Sequence, residues 1–393
     1  MKKILLLSLL LGWIILPLAA QTKIEFKEFT LDNGLHVIMH QDNTTPIVVT
    51  SVLYHVGSKN ENPERTGFAH FFEHLMFEGS ENIDRGQYMN IIQSRGGTLN
   101  AYTSNDITYY YELLPSNELD LALYMESERM LHSKVDLTGV ETQREVVKEE
   151  RRQRYENQPY GTILPETLKR AYTTHPYQWA PIGSMDHLNA ATIEEFQQFY
   201  KDFYVPNNAT LTIAGDLDYA KTEAMVRKYF SEIPKGTKPV YRPKITEPKK
   251  TAEVRDIIYD NIQIPAVIQA YNLPPRNHPD SYALSMLSTY LTGGNSSLMT
   301  KELVDKQQKA LVMAAIPLEL EDGGVFLMYG ITNMGVEPKA LEAEVDRLIK
   351  QVQDQGITDE EFTKLKNIME NNIVSGNSTV AGIAENLAEA KVI

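Results

Sequence analysis

The twelve residues Thr66-Gly67-Phe68-Ala69-His70-Phe71-Phe72-Glu73-His74-Leu75-Met76-Phe77 constrain this chain more than any other stretch. No Pro or Gly interrupts the run after Gly67, and Thr66 is suited to cap a helix start, so the spacing predicts a helix through Phe77. On it His70, Glu73 and His74 fall at i, i+3 and i+4. They share one face, with the two imidazoles about one turn apart. That arrangement suits two ligands on one zinc ion, with a carboxylate beside them able to take a proton from the water such an ion activates. Phe71, Phe72, Leu75, Met76 and Phe77 make the helix apolar nearly all round, which predicts burial. Two His and a Glu inside a core each need a partner, because an unpaired buried charge is strongly disfavoured. One cation supplies all three.

The reversed zinc motif resembles that of the inverzincins, the pitrilysin and insulinase family that includes mitochondrial processing peptidases. The resemblance implies a zinc-dependent endopeptidase acting on peptides or unfolded segments, with one Zn2+ per chain held by His70, His74 and a downstream Glu, and with Glu73 as the catalytic proton carrier. In that family the third ligand lies on a second helix, and 75 residues separate His74 from Glu150. Helical geometry then chooses among the Glu residues of Gln143-Arg144-Glu145-Val146-Val147-Lys148-Glu149-Glu150-Arg151-Arg152. Val146, Val147 and Glu150 fall at i, i+1 and i+4, so all three are expected on the inward side, with Glu149 a solvated neighbour. Seven residues before the ligand the family usually carries a Glu that supports it. Here Gln143 takes that place, able to hydrogen-bond a ligand but bringing no charge.

The resemblance also assigns a substrate strand. Leu99-Asn100-Ala101-Tyr102-Thr103 corresponds to a sheet edge that pairs with the substrate backbone, so these five residues are expected to contact substrate by β-augmentation. An Arg and, seven residues later, a Tyr usually contact the substrate from across the cleft. The matching run from Leu303 to Leu311 offers Val304 and Leu311 instead. The pair is therefore expected from a homologous partner subunit or from a missing C-terminal half.

Order and composition complete the expectation. Lys2 and Lys3, the apolar run Ile4 to Leu16 and Pro17-Leu18-Ala19-Ala20 read as a signal peptide over residues 1–20, so the chain is expected to be exported, periplasmic or secreted, without stable membrane insertion after cleavage. The chain has no Cys, so its stability is expected from packing and not from disulfides. A net charge of −14 disfavours nucleic acid. A hairpin turn at Asp32-Asn33-Gly34, a strand from Ile47 to Val56 and alternating strands and helices as far as Phe230 predict an α+β zinc-bearing domain over residues 21–233. His36, His40, His55, His175 and His187 are assigned no metal role. The Pro-rich, basic stretch 234–251 reads as a linker. Residues 252–393 then repeat the pattern, with strands around Val254 to Tyr259 and Ala266 to Tyr271 and a helix from Tyr282 to Leu291.

Overlaying Phe68–His74 on Tyr282–Ser288 aligns the Ala residues and the glycine turns that follow. This predicts a second homologous α/β domain, apparently truncated, in which Leu284, Leu287 and Ser288 replace His70, Glu73 and His74. The alternative to a peptidase is a non-catalytic scaffold or assembly subunit of the same fold, but such members usually lose the zinc residues and this chain keeps them. A structural zinc site favours four ligands with Cys, which is absent.

Overall fold

The computed structural model describes residues 23–393. The expected signal peptide lies outside the described residues. Among them, no helix is long and apolar enough to cross a membrane.

The first half is built on a six-stranded sheet of β1 (Lys27–Thr30), β2 (His36–Gln41), β3 (Ile47–Tyr54), β4 (Thr98–Thr103), β5 (Thr108–Pro115) and β6 (Ala209–Gly215). Their order is β1-β2-β6-β3-β5-β4, which leaves β4 at an edge. Only β2 and β6 run parallel. The Asp32-Asn33-Gly34 signal does mark the β1–β2 turn, where Gly34 adopts φ +91°. The helices are α1 (Phe68–Leu75), α2 (Gln87–Ser94), α3 (Leu119–His132), α4 (Leu137–Arg151), α5 (Ile163–Ala171), α6 (Met185–Ala190), α7 (Ile193–Phe203) and α8 (Tyr219–Phe230). A capping box of Thr192 and Glu195 opens α7. Helix α1 stops at Leu75, two residues short of expectation, and α4 passes into a π-helical turn over Arg152–Glu156.

The second half carries a three-stranded antiparallel sheet of β7 (Ala266–Leu273), β8 (Ala310–Leu320) and β9 (Gly323–Thr332) in the order β7-β9-β8. Around it stand α9 (Asp280–Thr292), α10 (Pro338–Gln355), α11 (Asp359–Gly376) and α12 (Val380–Val392). The path from β7 through a helix to the β8–β9 hairpin reproduces the path from β3 through α1 to the β4–β5 hairpin, with the same antiparallel neighbours. The duplication read from the sequence is thus a topological fact.

One local expectation fails. The strand expected over Val254 to Tyr259 does not form; the segment is extended and exposed, with Tyr259 at 90%. No neighbouring strand among the described residues takes up its backbone groups, and a strand without such a partner is not stable. Residues 234–251 lack regular structure, as a linker would, but they are pinned to the first half. The Asn60 side-chain amide donates to the Tyr241 carbonyl at 2.8 Å, and the Glu247 carboxylate accepts from the backbone N–H groups of Thr173, Thr174 and His175.

Strand alternation decides where the core sits. Val48, Val52, Tyr54, Tyr110, Leu211 and Ile213 face α1, whereas Val49, Leu53, Tyr109 and Ala214 face α12, which crosses back from the second half to cover the other side of the first sheet. With both faces covered, β3 is buried from Val48 to Tyr54, including the polar Thr50 and Ser51 at its middle. Helix α1 is wedged in by aromatic contacts to α7: Phe196 lies 4.5 Å from Phe68 and 4.4 Å from Phe71 between ring centroids, and Phe199 lies 5.3 Å from Phe72. Phe196→Ala is expected to lower the unfolding free energy by about 3–5 kcal/mol, measured by chemical denaturation, because the side chain is fully buried and leaves a cavity against α1.

Candidate metal and active site

Helix α1 presents its polar residues in a way the sequence only partly anticipates. Thr66 does not cap it. The N-cap is Gly67 at φ +99°, where an added Cβ would stand 2.8 Å from the Ile182 carbonyl. The capping acceptor is Glu61, whose carboxyl group takes the N–H groups of Gly67 and Ala69 at 2.9 and 2.8 Å. Burial pushes the Glu61 pKa up to about 8, although these N–H donors pull the other way. The Thr66 hydroxyl instead meets His187 Nδ1 at 2.9 Å.

His70 and His74 point from α1 toward Glu150 on α4. Their Nε2 atoms lie 3.6 and 3.1 Å from Glu150 Oε2. The ligand atoms of these three residues all lie within 4.8 Å of one another, the one such group among the described residues. His70 is buried, while His74, Glu73 and Glu150 are half-buried at the rim. Burial disfavours the charged form of Glu150, but hydrogen bonds and charge from His70 and His74 outweigh it and hold the carboxyl well below the usual carboxylate range. Arg154 Nη1 meets the other carboxylate oxygen at 3.0 Å, a contact at i+4 that the sequence reading overlooked although the spacing offered it.

The reason given for Glu150 needs correction. Val146 is 45% exposed and does not share the inward face. The stripe that brings α4 onto the core runs through Val140, Arg144 and Val147, and Glu150 continues it one turn after Val147. Gln143 makes no hydrogen bond to His70, His74 or Glu150. Its Nε2 donates to Glu78 Oε1, on the loop after α1, at 2.5 Å, while Gln143 Oε1 and His70 Nδ1 are buried without partners. Glu73 engages none of the hydrogen bonds or ion pairs among the described residues, which leaves its carboxylate free.

Leu99, Asn100, Ala101, Tyr102 and Thr103 all lie on β4, which pairs only with β5 and packs beside α1. The N–H of Ala101 is capped by Asn100 Oδ1 at 2.9 Å. The remaining His residues stand apart from the cluster: His36 bonds Glu28, His40 bonds the Glu25 carbonyl, and His55 bonds Glu321.

The donor set fits zinc. Two imidazole nitrogens and one carboxylate oxygen are the protein ligands of a catalytic site with an open fourth position, and two ligands of a tetrahedral ion at 2.0–2.2 Å stand about 3.3 Å apart. The observed 3.1 and 3.6 Å bracket that spacing.

Comparison with known proteins agrees. Residues 36–180 match the family described as "Insulinase (Peptidase family M16)", and residues 190–369 match the "Peptidase M16 inactive domain". The chain is 34% identical to the zinc protease PqqE of Helicobacter pylori over 90% of this chain and 81% of that protein. A crystal structure of a protease from Helicobacter pylori superposes with a TM-score of 0.91 at 31% identity, covering 94% of this chain and 90% of that one. The periplasmic protease PqqL of Escherichia coli has the same fold, with a TM-score of 0.75 at 23% identity, covering 94% of this chain and 42% of that one. His70, Glu73, His74 and Glu150 all fall in the first matched segment.

Glu150→Gln is expected to weaken zinc binding by at least about 100-fold, about 2.8 kcal/mol, in a chelator competition. Glu149→Gln, whose native side chain pairs with Arg152 on the outer surface, should leave zinc affinity unchanged.

Proposed function

The chain belongs to peptidase family M16, the insulinase family, and from that premise we propose that it is a zinc-dependent endopeptidase that cleaves peptides or unfolded polypeptide segments. The observation that carries the reading is the convergence of His70 Nε2 and His74 Nε2 on Glu150 Oε2, beside an unengaged Glu73. His70, His74 and Glu150 would hold the ion. Zinc bound there would supply a Lewis acid and lower the pKa of a water molecule to about 7.

The protein's own residues do the rest. Glu73 accepts the proton of the attacking water and passes it to the nitrogen of the leaving amine, so one carboxylate serves as base and then as acid. The open edge of β4 aligns the substrate main chain, with residues Leu99 to Thr103 offering backbone groups to any extended peptide. On substrate approach Ala101 N–H exchanges its bond to Asn100 for one to the substrate.

The substrate-contacting Arg and Tyr are to be supplied by a homologous partner subunit or by chain outside residues 1–393, since Val304 and Leu311 occupy the corresponding positions. Residues 21–233 are the metal-bearing unit, 234–251 the strap and 252–393 the repeat. Exported location rests on the sequence of residues 1–20. The description of an inactive domain applies to residues 190–369, which contain none of the four proposed active-site residues.

Glu73→Gln is expected to keep zinc but to lower kcat by about 100- to 10,000-fold on an unstructured peptide, checked by metal analysis and steady-state kinetics. Near-normal turnover in that variant would remove Glu73 from the mechanism. The purified chain alone should cleave more slowly than the same chain mixed with a homologue that carries the Arg and Tyr; full activity without a partner would contradict the shared-site proposal.

A further inference from the structure

Lys59, in the loop between β3 and α1, is a buried cation, 2% exposed. Three carboxylates meet its ammonium group. Asp106, in the β4–β5 turn, lies at 2.9 Å, while Glu321 and Asp322, the two residues that turn β8 into β9, lie at 2.6 and 3.0 Å. The second-half turn is seated by its backbone as well. Glu321 N–H donates to Asp106 Oδ2 at 2.9 Å, and Asp322 N–H donates to the Tyr177 hydroxyl at 3.0 Å, which in turn donates to Asp106 Oδ1 at 2.6 Å. His55 closes the cluster on Glu321 at 2.7 Å.

What this cluster holds lies one step from the metal helix. Lys59 sits two residues before Glu61, the residue that caps α1. The intervening loop has little freedom: Lys59 N–H bonds the Asn105 carbonyl at 2.9 Å, and a Cβ on Gly57 would stand 2.5 Å from Asp106 N. Asp106 in turn ends two residues before β5 begins, just beyond the edge strand β4.

We propose that the β8–β9 turn is a positioning element for the active site: Glu321 and Asp322, from the half of the chain with no metal ligand, fix Lys59 and Asp106, and thereby the capping loop of α1 and the end of β4. The proposal rests on the peptidase reading for its consequence but not for its geometry. A buried polar cluster of this kind holds its parts in one arrangement through the contacts that join them, and the two turn carboxylates are the side-chain contacts that join the second half to Lys59. Loss of the two turn carboxylates leaves Lys59 with Asp106 alone and leaves the turn held only by its two backbone hydrogen bonds.

The test compares the full chain with the double variant E321Q/D322N by hydrogen–deuterium exchange and by chelator competition for zinc. Local opening is the expected result: amide exchange over residues 57–75 and 98–108 rises by at least about tenfold while β6 keeps its wild-type rate, and zinc affinity falls by about tenfold, the usual effect of disturbing what orients a ligand. Wild-type exchange in both segments, or an equal rise in β6, would overturn the proposal. So would an equal effect from Glu319→Gln, whose native side chain bonds Ser285 on α9 and not the Lys59 cluster. If the double variant does not fold, Glu321→Gln alone, which keeps the Asp322 contact, is expected to give the same pattern at smaller size. Exchange requires no turnover, so a wild-type chain unable to cleave peptides would refute the peptidase reading and leave this comparison standing.

Discussion

An eight-residue helix does not hold its shape in water, so the geometry of α1 is imposed on it from outside. Everything the active-site proposal needs depends on that imposition, because His70, Glu73 and His74 are aligned only while α1 is helical and correctly rotated. Phe68, Phe71 and Phe72 supply the rotation by stacking on α7, and the Tyr110 hydroxyl grips the Phe72 carbonyl at 3.1 Å. Glu61 satisfies the N-terminal N–H groups. Beyond the C-terminus, Phe77 lies over the buried Arg129 guanidinium, itself matched by Glu112 and Glu126. A cation is favoured on the one polar stripe of such a helix because it answers two imidazoles and a carboxylate that packing has drawn together.

The two halves divide the labour in a way that the duplication makes visible. Both contain the same strand, helix and hairpin, yet the copy has lost every donor from the helix equivalent to α1. Its contribution is mechanical. The β8–β9 turn docks on the loop ahead of α1, α12 covers the far face of the first sheet, and the strap over residues 234–251 is pinned to the first half at Tyr241 and Glu247. A half that binds no metal can still decide how well the other half does.

The α1 motif and the internal repeat are legible in the sequence because each is written in local spacing: i, i+3, i+4 for the donors and glycine turns for the repeat; the edge position of β4 is legible only through the family resemblance. What could not be read depends on which groups packing brings together. The cap of α1 comes from Glu61, outside the helix pattern, where the local sequence favoured Thr66. Val146 is expected inward from its i, i+1, i+4 pattern with Val147 and Glu150, but the stripe that packs runs through Val140, Arg144 and Val147. Gln143 was expected to support a ligand and is captured by Glu78. The strand at Val254 to Tyr259 has the composition of a strand and lacks a neighbour, which composition cannot supply.

The account stands on three side chains from two helices serving one ion. Zinc-edge anomalous diffraction from crystals of the metal-loaded chain tests it most directly. The account predicts a single strong peak between α1 and α4, with the nitrogens of His70 and His74 and an oxygen of Glu150 each within about 2.0–2.2 Å. A peak elsewhere, or a coordination sphere there that excludes Glu150, would contradict it.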